Sequence, residues 1–222
     1  MNEALWNKCA EFHGHTCPGL ATGFRVATEA MARLGLDGPE ADEELVCVTE
    51  NDTCAVDAVQ VITGCTMGKG NLLYRGTGKM VFTFYCRRSG QGLRVAAKPG
   101  GRSLDRAARQ HWLLTAPAEE VLSFSAPTRP APERARIFGN VTCAQCGEPV
   151  PEHKVRLHQG ELLCLDCFQP YDRGWYPFRQ PASAVSRRKD AARRSARAER
   201  ARLRAEKCFF RGACPRKKRI FT

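Results

Sequence analysis

The stretch KMVFTFYCRRSGQGLRVAA, residues 79–97, decides the fold class. Met80, Phe82, Phe84 and Cys86 fall on one face of an extended chain, and Val81, Thr83 and Tyr85 on the other. Both faces are mostly apolar, so a strand covered on both sides is expected over residues 79–87. Residues 88–92 turn the chain, and residues 93–97 form the partner strand. Toward the N-terminus the pattern becomes helical. Residues 4–12 read as a short helix. A second helix opens at Pro18, with Cys17 at its cap. Leu20, Phe24, Ala27, Met31 and Leu34 repeat along it at helical spacing, and Gly35 ends it. Residues 45–49 form a short strand. Asp52 or Thr53 caps a third helix over residues 54–63, with Val56, Val59 and Ile62 inward, and Gly64 stops it. Toward the C-terminus, Ser103 caps a helix reaching about residue 113, and Pro117 starts another ending near Phe124. Helices, then strands, then helices favour an α+β domain over residues 1–125.

The chain has 222 residues, and the rest of it divides by composition. Residues 126–136 contain three prolines and no large apolar side chain, which reads as a linker. Residues 137–172 hold a compact cysteine array. A tail over residues 173–222 follows. Charge is concentrated there: residues 179–222 carry a net +13, and the remaining 178 residues a net −1. An argument from charge toward nucleic acid therefore applies to the tail alone. No segment approaches the roughly 18 apolar residues that a membrane span needs. The first residues lack a basic start followed by an apolar run, so a cytoplasmic protein with no membrane partner is expected. Under reducing conditions its twelve cysteines point to metal binding or thiol chemistry more than to disulfides.

Cys143-x2-Cys146 and Cys164-x2-Cys167 are separated by 17 residues. Each pair sits on a knuckle that aims two sulfurs at one point, and four thiolates are the tetrahedral set zinc prefers. A segment this small cannot bury much core unaided, so a structural zinc is expected. His153 and His158 are read as surface residues. The spacing resembles the TraR/DksA type of zinc finger.

A second cluster lies near the N-terminus. His13-Gly14-His15-Thr16-Cys17-Pro18-Gly19 packs two imidazoles and a thiol into five residues, and Cys17 at a helix start feels the positive end of the helix dipole. Glu50-Asn51-Asp52-Thr53-Cys54 leads into the third helix, with Asp57 one turn beyond Cys54. The glycine-rich loop Thr63-Gly64-Cys65-Thr66-Met67-Gly68-Lys69-Gly70-Asn71-Leu72 follows, and Lys69 there could hold an anion. A helix over residues 54–64 sets its ends about 15 Å apart, so Cys54 and Cys65 cannot share an ion within one chain. Cys54 is the better partner for His15 and Cys17. Asp57 suits an acceptor for a ligating imidazole N–H. Cys9, Cys47 and Cys86 read as buried thiols packed like small apolar groups.

Together the three motifs resemble the formylmethanofuran dehydrogenase E-subunit family. That resemblance implies an α+β core, an intertwined homodimer, and a metal or thiol site built from His13, His15, Cys17 and Cys54. The ion would be zinc, nickel or iron. It would act as a Lewis acid or hold a thiolate nucleophile, with Cys17, Cys54 and Lys69 as the reactive groups. A link to molybdenum- or tungsten-dependent one-carbon metabolism is implied. The chain shows no ferredoxin-type cysteine run, so it is not read as the formylmethanofuran-oxidising catalyst itself. The other reading is a zinc-finger regulatory or metal-sensing adaptor. It would bind nucleic acid or protein through the finger and a helical or disordered tail, near Cys208 and Cys214.

Overall fold

The computed structural model describes residues 1–171, which form two compact units over residues 1–136 and from residue 137 onward. The basic tail, with Cys208 and Cys214, lies outside the described residues. In chain order the first unit contains α1 (Glu3–His13), α2 (Pro18–Leu34), β1 (Leu45–Thr49), α3 (Ala55–Thr63), β2 (Leu72–Tyr74), β3 (Val81–Cys86), β4 (Gln91–Ala97), α4 (Arg106–Thr115), the single turn α5 (Ala118–Val121) and β5 (Leu122–Ser125). Its sheet runs β2-β1-β3-β4-β5. Only the β1–β2 pair is parallel.

β3 is central and buried along its whole length. Phe82, Phe84 and Cys86 face the helical layer, where they meet Leu20, Phe24, Ala27 and Val59. α2 packs on β3 and β4, α3 and α4 flank it, and α1 packs against α2 and α3. Arg25 ties α2 to the end of α4 by donating to the carbonyls of Leu114 and Ala116 at 2.8 and 3.0 Å. The other face of β3 is covered by residues 126–136. Tyr85 donates its hydroxyl to the Arg129 carbonyl at 2.9 Å, Pro127 lies over Gly92, and the Ala135 N–H reaches the Glu43 carboxylate at 3.0 Å. The prolines keep this segment extended, as a strap needs to be.

Three local expectations are corrected. Asp105 caps α4, not Ser103, because its carboxylate accepts the Ala108 N–H at 2.8 Å. The helix expected from Pro117 to Phe124 is one turn only. The chain then alternates as Leu122-Ser123-Phe124-Ser125 and pairs with β4, whose edge is otherwise unsatisfied. Neither Asp52 nor Thr53 caps α3. The Thr53 hydroxyl donates to Asn51 Oδ1 at 2.8 Å, and Cys54 takes the N-cap position.

The second unit contains two short hairpins. β6 (Asn140–Thr142) pairs with β7 (Pro149–Pro151), and β8 (Val155–His158) pairs with β9 (Glu161–Cys164).

Candidate metal centre

The core cluster is built where α1, α2 and α3 meet. His13 is the last residue of α1. Gly14 follows at φ 83° and donates its N–H to the carbonyls of Ala10 and Glu11, a left-handed turn that glycine adopts without a Cβ clash. Cys17 is extended, and its Sγ accepts the Leu20 N–H at 3.3 Å, capping α2 ahead of Pro18. The short link between two helices thus carries His13, His15 and Cys17, with the two imidazole rings 4.3 Å apart.

Cys54 arrives with α3, and two glycines let α3 come close. A Cβ on Gly23 would lie 2.0 Å from the Ala55 carbonyl oxygen. A Cβ on Gly19 would lie 3.1 Å from Cys54 Cβ and 3.7 Å from both Cys17 Sγ and Cys54 Sγ. Four residues apart, they share one face of α2, a groove of bare backbone that receives the start of α3. One donor atom each from His13, His15, Cys17 and Cys54 then lies within 4.8 Å of the others.

His13 Nδ1 lies 2.7 Å from Asp57 Oδ2. An ionised carboxylate only accepts, so Nδ1 carries the proton and Nε2 keeps a lone pair in the neutral ring. That Nε2 is buried and has no hydrogen-bond partner among the described residues. Burial, and next the hydrogen bond with Cys17, push the Cys54 thiol above its ordinary range. Cys17 is buried and His15 is exposed, so the cluster has a closed floor and an open side.

The remaining residues singled out in the sequence lie elsewhere. Cys65 sits beyond the far end of α3 from Cys54, and the nine residues of that helix alone span about 13 Å. Its thiol donates to the Leu45 carbonyl at 3.3 Å. Asn71 is buried and staples the loop: Nδ2 donates to the carbonyls of Asp42 and Leu45, and Oδ1 accepts the Thr66 N–H. Lys69 is exposed on that loop, near Gly64. α3 therefore separates Lys69 from the cluster, and the fold does not bring it to an anion held there. Cys9, Cys47 and Cys86 are buried within the core, and burial raises Cys9 to about 11.

In the second unit Cys143, Cys146, Cys164 and Cys167 bring their sulfurs within 4.8 Å of one another. Gly147 turns the first knuckle at φ 77°. Backbone N–H groups of Cys146 and Cys164 pull the Cys143 thiol down to about 6, the second from 3.3 Å. Burial, then its three neighbouring thiols, push Cys167 the other way. Little apolar surface supports the sulfurs: Leu163 is buried with Cys143 and Cys164, against Val150 and Phe168. His153 stacks on Phe138 at 4.1 Å and His158 meets Phe168 at 5.8 Å, so each imidazole has an aromatic neighbour. The tetrad fits a zinc finger.

Residues 12–125, just over half the chain, match the family described as FmdE, molybdenum formylmethanofuran dehydrogenase operon. The chain belongs to the FmdE family. Residues 136–173 match the prokaryotic dksA/traR C4-type zinc finger. A crystal structure of a tungsten formylmethanofuran dehydrogenase FmdE-like protein from Syntrophus aciditrophicus is similar to this FmdE-family chain, with a TM-score of 0.53 and 26% identity. The likeness covers 80% of this chain and 94% of that one. A protein of Archaeoglobus fulgidus, named probable S-adenosyl-L-methionine-binding protein, is 30% identical over 196 residues. The match covers 74% of this chain and 52% of the relative, so the chain spans about half the length of that curated relative. Among the described residues no helix is long and apolar enough to cross a membrane.

Gly19 and Gly23 were not singled out from the sequence, although a signal for them is present. Two glycines at i and i+4 inside an otherwise apolar helix mark a close backbone approach, since each costs helix stability unless something packs there.

Proposed function

We propose that this FmdE-family chain is a metal-binding protein whose core holds one transition-metal ion on His13, His15, Cys17 and Cys54, beside a structural zinc in the finger. The observation that carries the reading is His13 Nε2. It is a buried lone pair without a partner among the described residues, in a ring locked by Asp57, facing a cluster that contains two thiols. Leaving such an atom buried and unpaired is costly, and a metal ligand is the common resolution. Two imidazoles and two thiolates suit zinc, nickel or iron. An ion held there would supply Lewis acidity if it took a further ligand beyond these four. The protein does the rest: Asp57 orients His13, the Leu20 N–H holds Cys17 Sγ in place, and Gly19 keeps the space between the sulfurs clear. The family description and the name of the S. aciditrophicus protein support a role tied to molybdenum- or tungsten-dependent one-carbon metabolism. The working form is an intertwined homodimer, for which light scattering would give twice the 24.6 kDa of one chain.

Metal analysis of the full chain tests the core site. Two equivalents are expected, one of them lost in His13→Ala or Cys17→Ala while the finger keeps its own. An unchanged metal content in both variants overturns the reading.

A second reading is favoured by the net +13 of residues 179–222: the finger and tail form an adaptor for nucleic acid. It expects salt-dependent DNA or RNA binding that disappears when residues 179–222 are deleted. No binding at low salt disposes of it.

A further inference from the structure

A concavity of about 350 Å³ opens next to the core cluster, lined by Thr16, Arg106, Ala107, Gln110, His111 and Leu114. Thr16 lies between His15 and Cys17, so the cleft begins one residue from two of the proposed ligands. Its opposite wall is one face of α4, since positions 106, 107, 110, 111 and 114 fall together on a helix. Arg25 fixes that wall by gripping the end of α4 from α2, the helix that Cys17 caps.

The lining has a chemical sense. Arg106, Gln110, His111 and Thr16 bring a guanidinium, an amide, an imidazole and a hydroxyl to the lining, all but Gln110 on exposed residues, and among the described residues no acidic side chain lines it. Among the described residues these four side chains are not spent on each other or on neighbours: His111 engages through its backbone carbonyl only, and Asp105, next in sequence to Arg106, commits its carboxylate to capping α4. Ala107 and Leu114 supply apolar surface between them. The volume is at the small end of ligand sites. One planar guanidinium with amide and hydroxyl partners matches a carboxylate, which it grips through two parallel N–H groups.

We propose that this cleft binds a small organic carboxylate, anchored by Arg106 and steadied by Gln110, His111 and Thr16, with its other end directed at the core site. The direction of that other end rests on the metal reading above; the anchoring does not. The cleft, and not Lys69, thus provides the anion-holding group for the core site, and the substrate class becomes a short-chain acid.

The experiment is a titration of the full-length protein with butyrate, followed by backbone and side-chain amide shifts in ¹H–¹⁵N spectra. Butyramide, of the same shape without the charge, and inorganic phosphate are run in parallel. Butyrate is expected to shift Thr16 and Gln110 saturably, and butyramide to bind at least tenfold more weakly. Arg106→Gln should weaken butyrate binding tenfold or more and remove the preference over butyramide. Arg102→Gln, at an exposed arginine outside the cleft, should leave both unchanged. The proposal is overturned by the absence of saturable shifts, by wild-type binding in Arg106→Gln, or by phosphate binding more tightly than butyrate. Metal content measured on the same samples separates the two readings. Butyrate binding to a core free of metal keeps the cleft and removes the ion. A loaded core that ignores butyrate does the reverse.

Discussion

Replacing Gly19 with alanine separates the requirements of the fold from those of the site. Gly19 is the second residue of α2, so alanine should help that helix by less than the roughly 0.5–1 kcal/mol it gives in a helix interior. Against this, the new Cβ would sit 3.1 Å from Cys54 Cβ, which must retreat by a few tenths of an ångström. Such a retreat costs the protein little, because Cys54 is only half-buried at the start of α3. It is large for an ion, whose ligand distances hold to about 0.2 Å. The apo protein should therefore keep its unfolding free energy to within about 1 kcal/mol of wild type in urea, while core metal affinity falls roughly 10- to 100-fold. Gly23→Ala is the counterpart. Its Cβ would meet a backbone oxygen at 2.0 Å, so α3 must separate from α2 by roughly 1 Å, an overpacking cost of about 1–3 kcal/mol or more. That variant should lose stability and core metal together. The assays are urea unfolding of metal-free protein and competition against a chromogenic chelator. Wild-type metal affinity in Gly19→Ala, or wild-type stability in Gly23→Ala, would refute the idea that this groove sets the cluster.

Three further outcomes follow from the same geometry. Asp57→Asn keeps the shape but can donate to His13 Nδ1, which moves the ring proton to Nε2. Core metal affinity should drop about 10- to 100-fold by chelator competition, and an unchanged value would remove Asp57 from the site. Cys9 stays protonated in the fold to about pH 11 but ionises near its ordinary value of 9 when unfolded. The unfolded chain thus loses its proton first, and the stability from keeping Cys9 neutral, whole below pH 9, is lost as pH rises toward 11. The unfolding free energy from urea titrations should fall less between pH 8 and 10.5 in Cys9→Ala than in wild type, by up to about 2 kcal/mol, and equal falls would contradict this. Cys143→Ala should unfold residues 137–171 and release one metal equivalent without moving the amide signals of residues 1–125. Persistence of the β8–β9 hairpin signals would show that the finger holds without its sulfurs.

The fold was legible in the sequence where side chains carried a period. The stripe from Leu20 to Leu34 gave α2, and the doubly apolar run at residues 81–86 gave a central strand with two covered faces. The identity of the second cover was not legible. Residues 126–136 attach through the Arg129 carbonyl, the Ala135 N–H, the Arg134–Glu44 ion pair and Pro127 over Gly92, and a composition of prolines, charged and small residues reads as linker whichever way it lies. β5 was missed because Pro117, Glu119 and Glu120 announce a helix, and the alternation that ends it after one turn is only four residues long. The finger strands are three or four residues each, too short to show any period.

The two cysteine sites differ in how they come to exist, and this decides what mutation and metal removal will report at each. In the finger all four sulfurs come from two knuckles within 25 residues, and the buried apolar surface behind them is slight. Folding and metal binding are then one event, so losing one sulfur should lose the unit. In the core the donors come from the end of α1, the cap of α2 and the start of α3, and those helices are held by a core that continues through Phe82, Phe84 and Val95. That scaffold should fold without an ion. It keeps Nε2 of His13 buried with no partner among the described residues, and two sulfurs close together, a cost carried by packing elsewhere. A site assembled before its ligand arrives can tune that ligand, and with His15 exposed beside the Arg106 cleft it can present it to a second molecule. Variants at the core ligands should therefore change metal content at nearly constant stability, the finger variants should change both, and a core that unfolds on chelation would place the two sites in the same class after all.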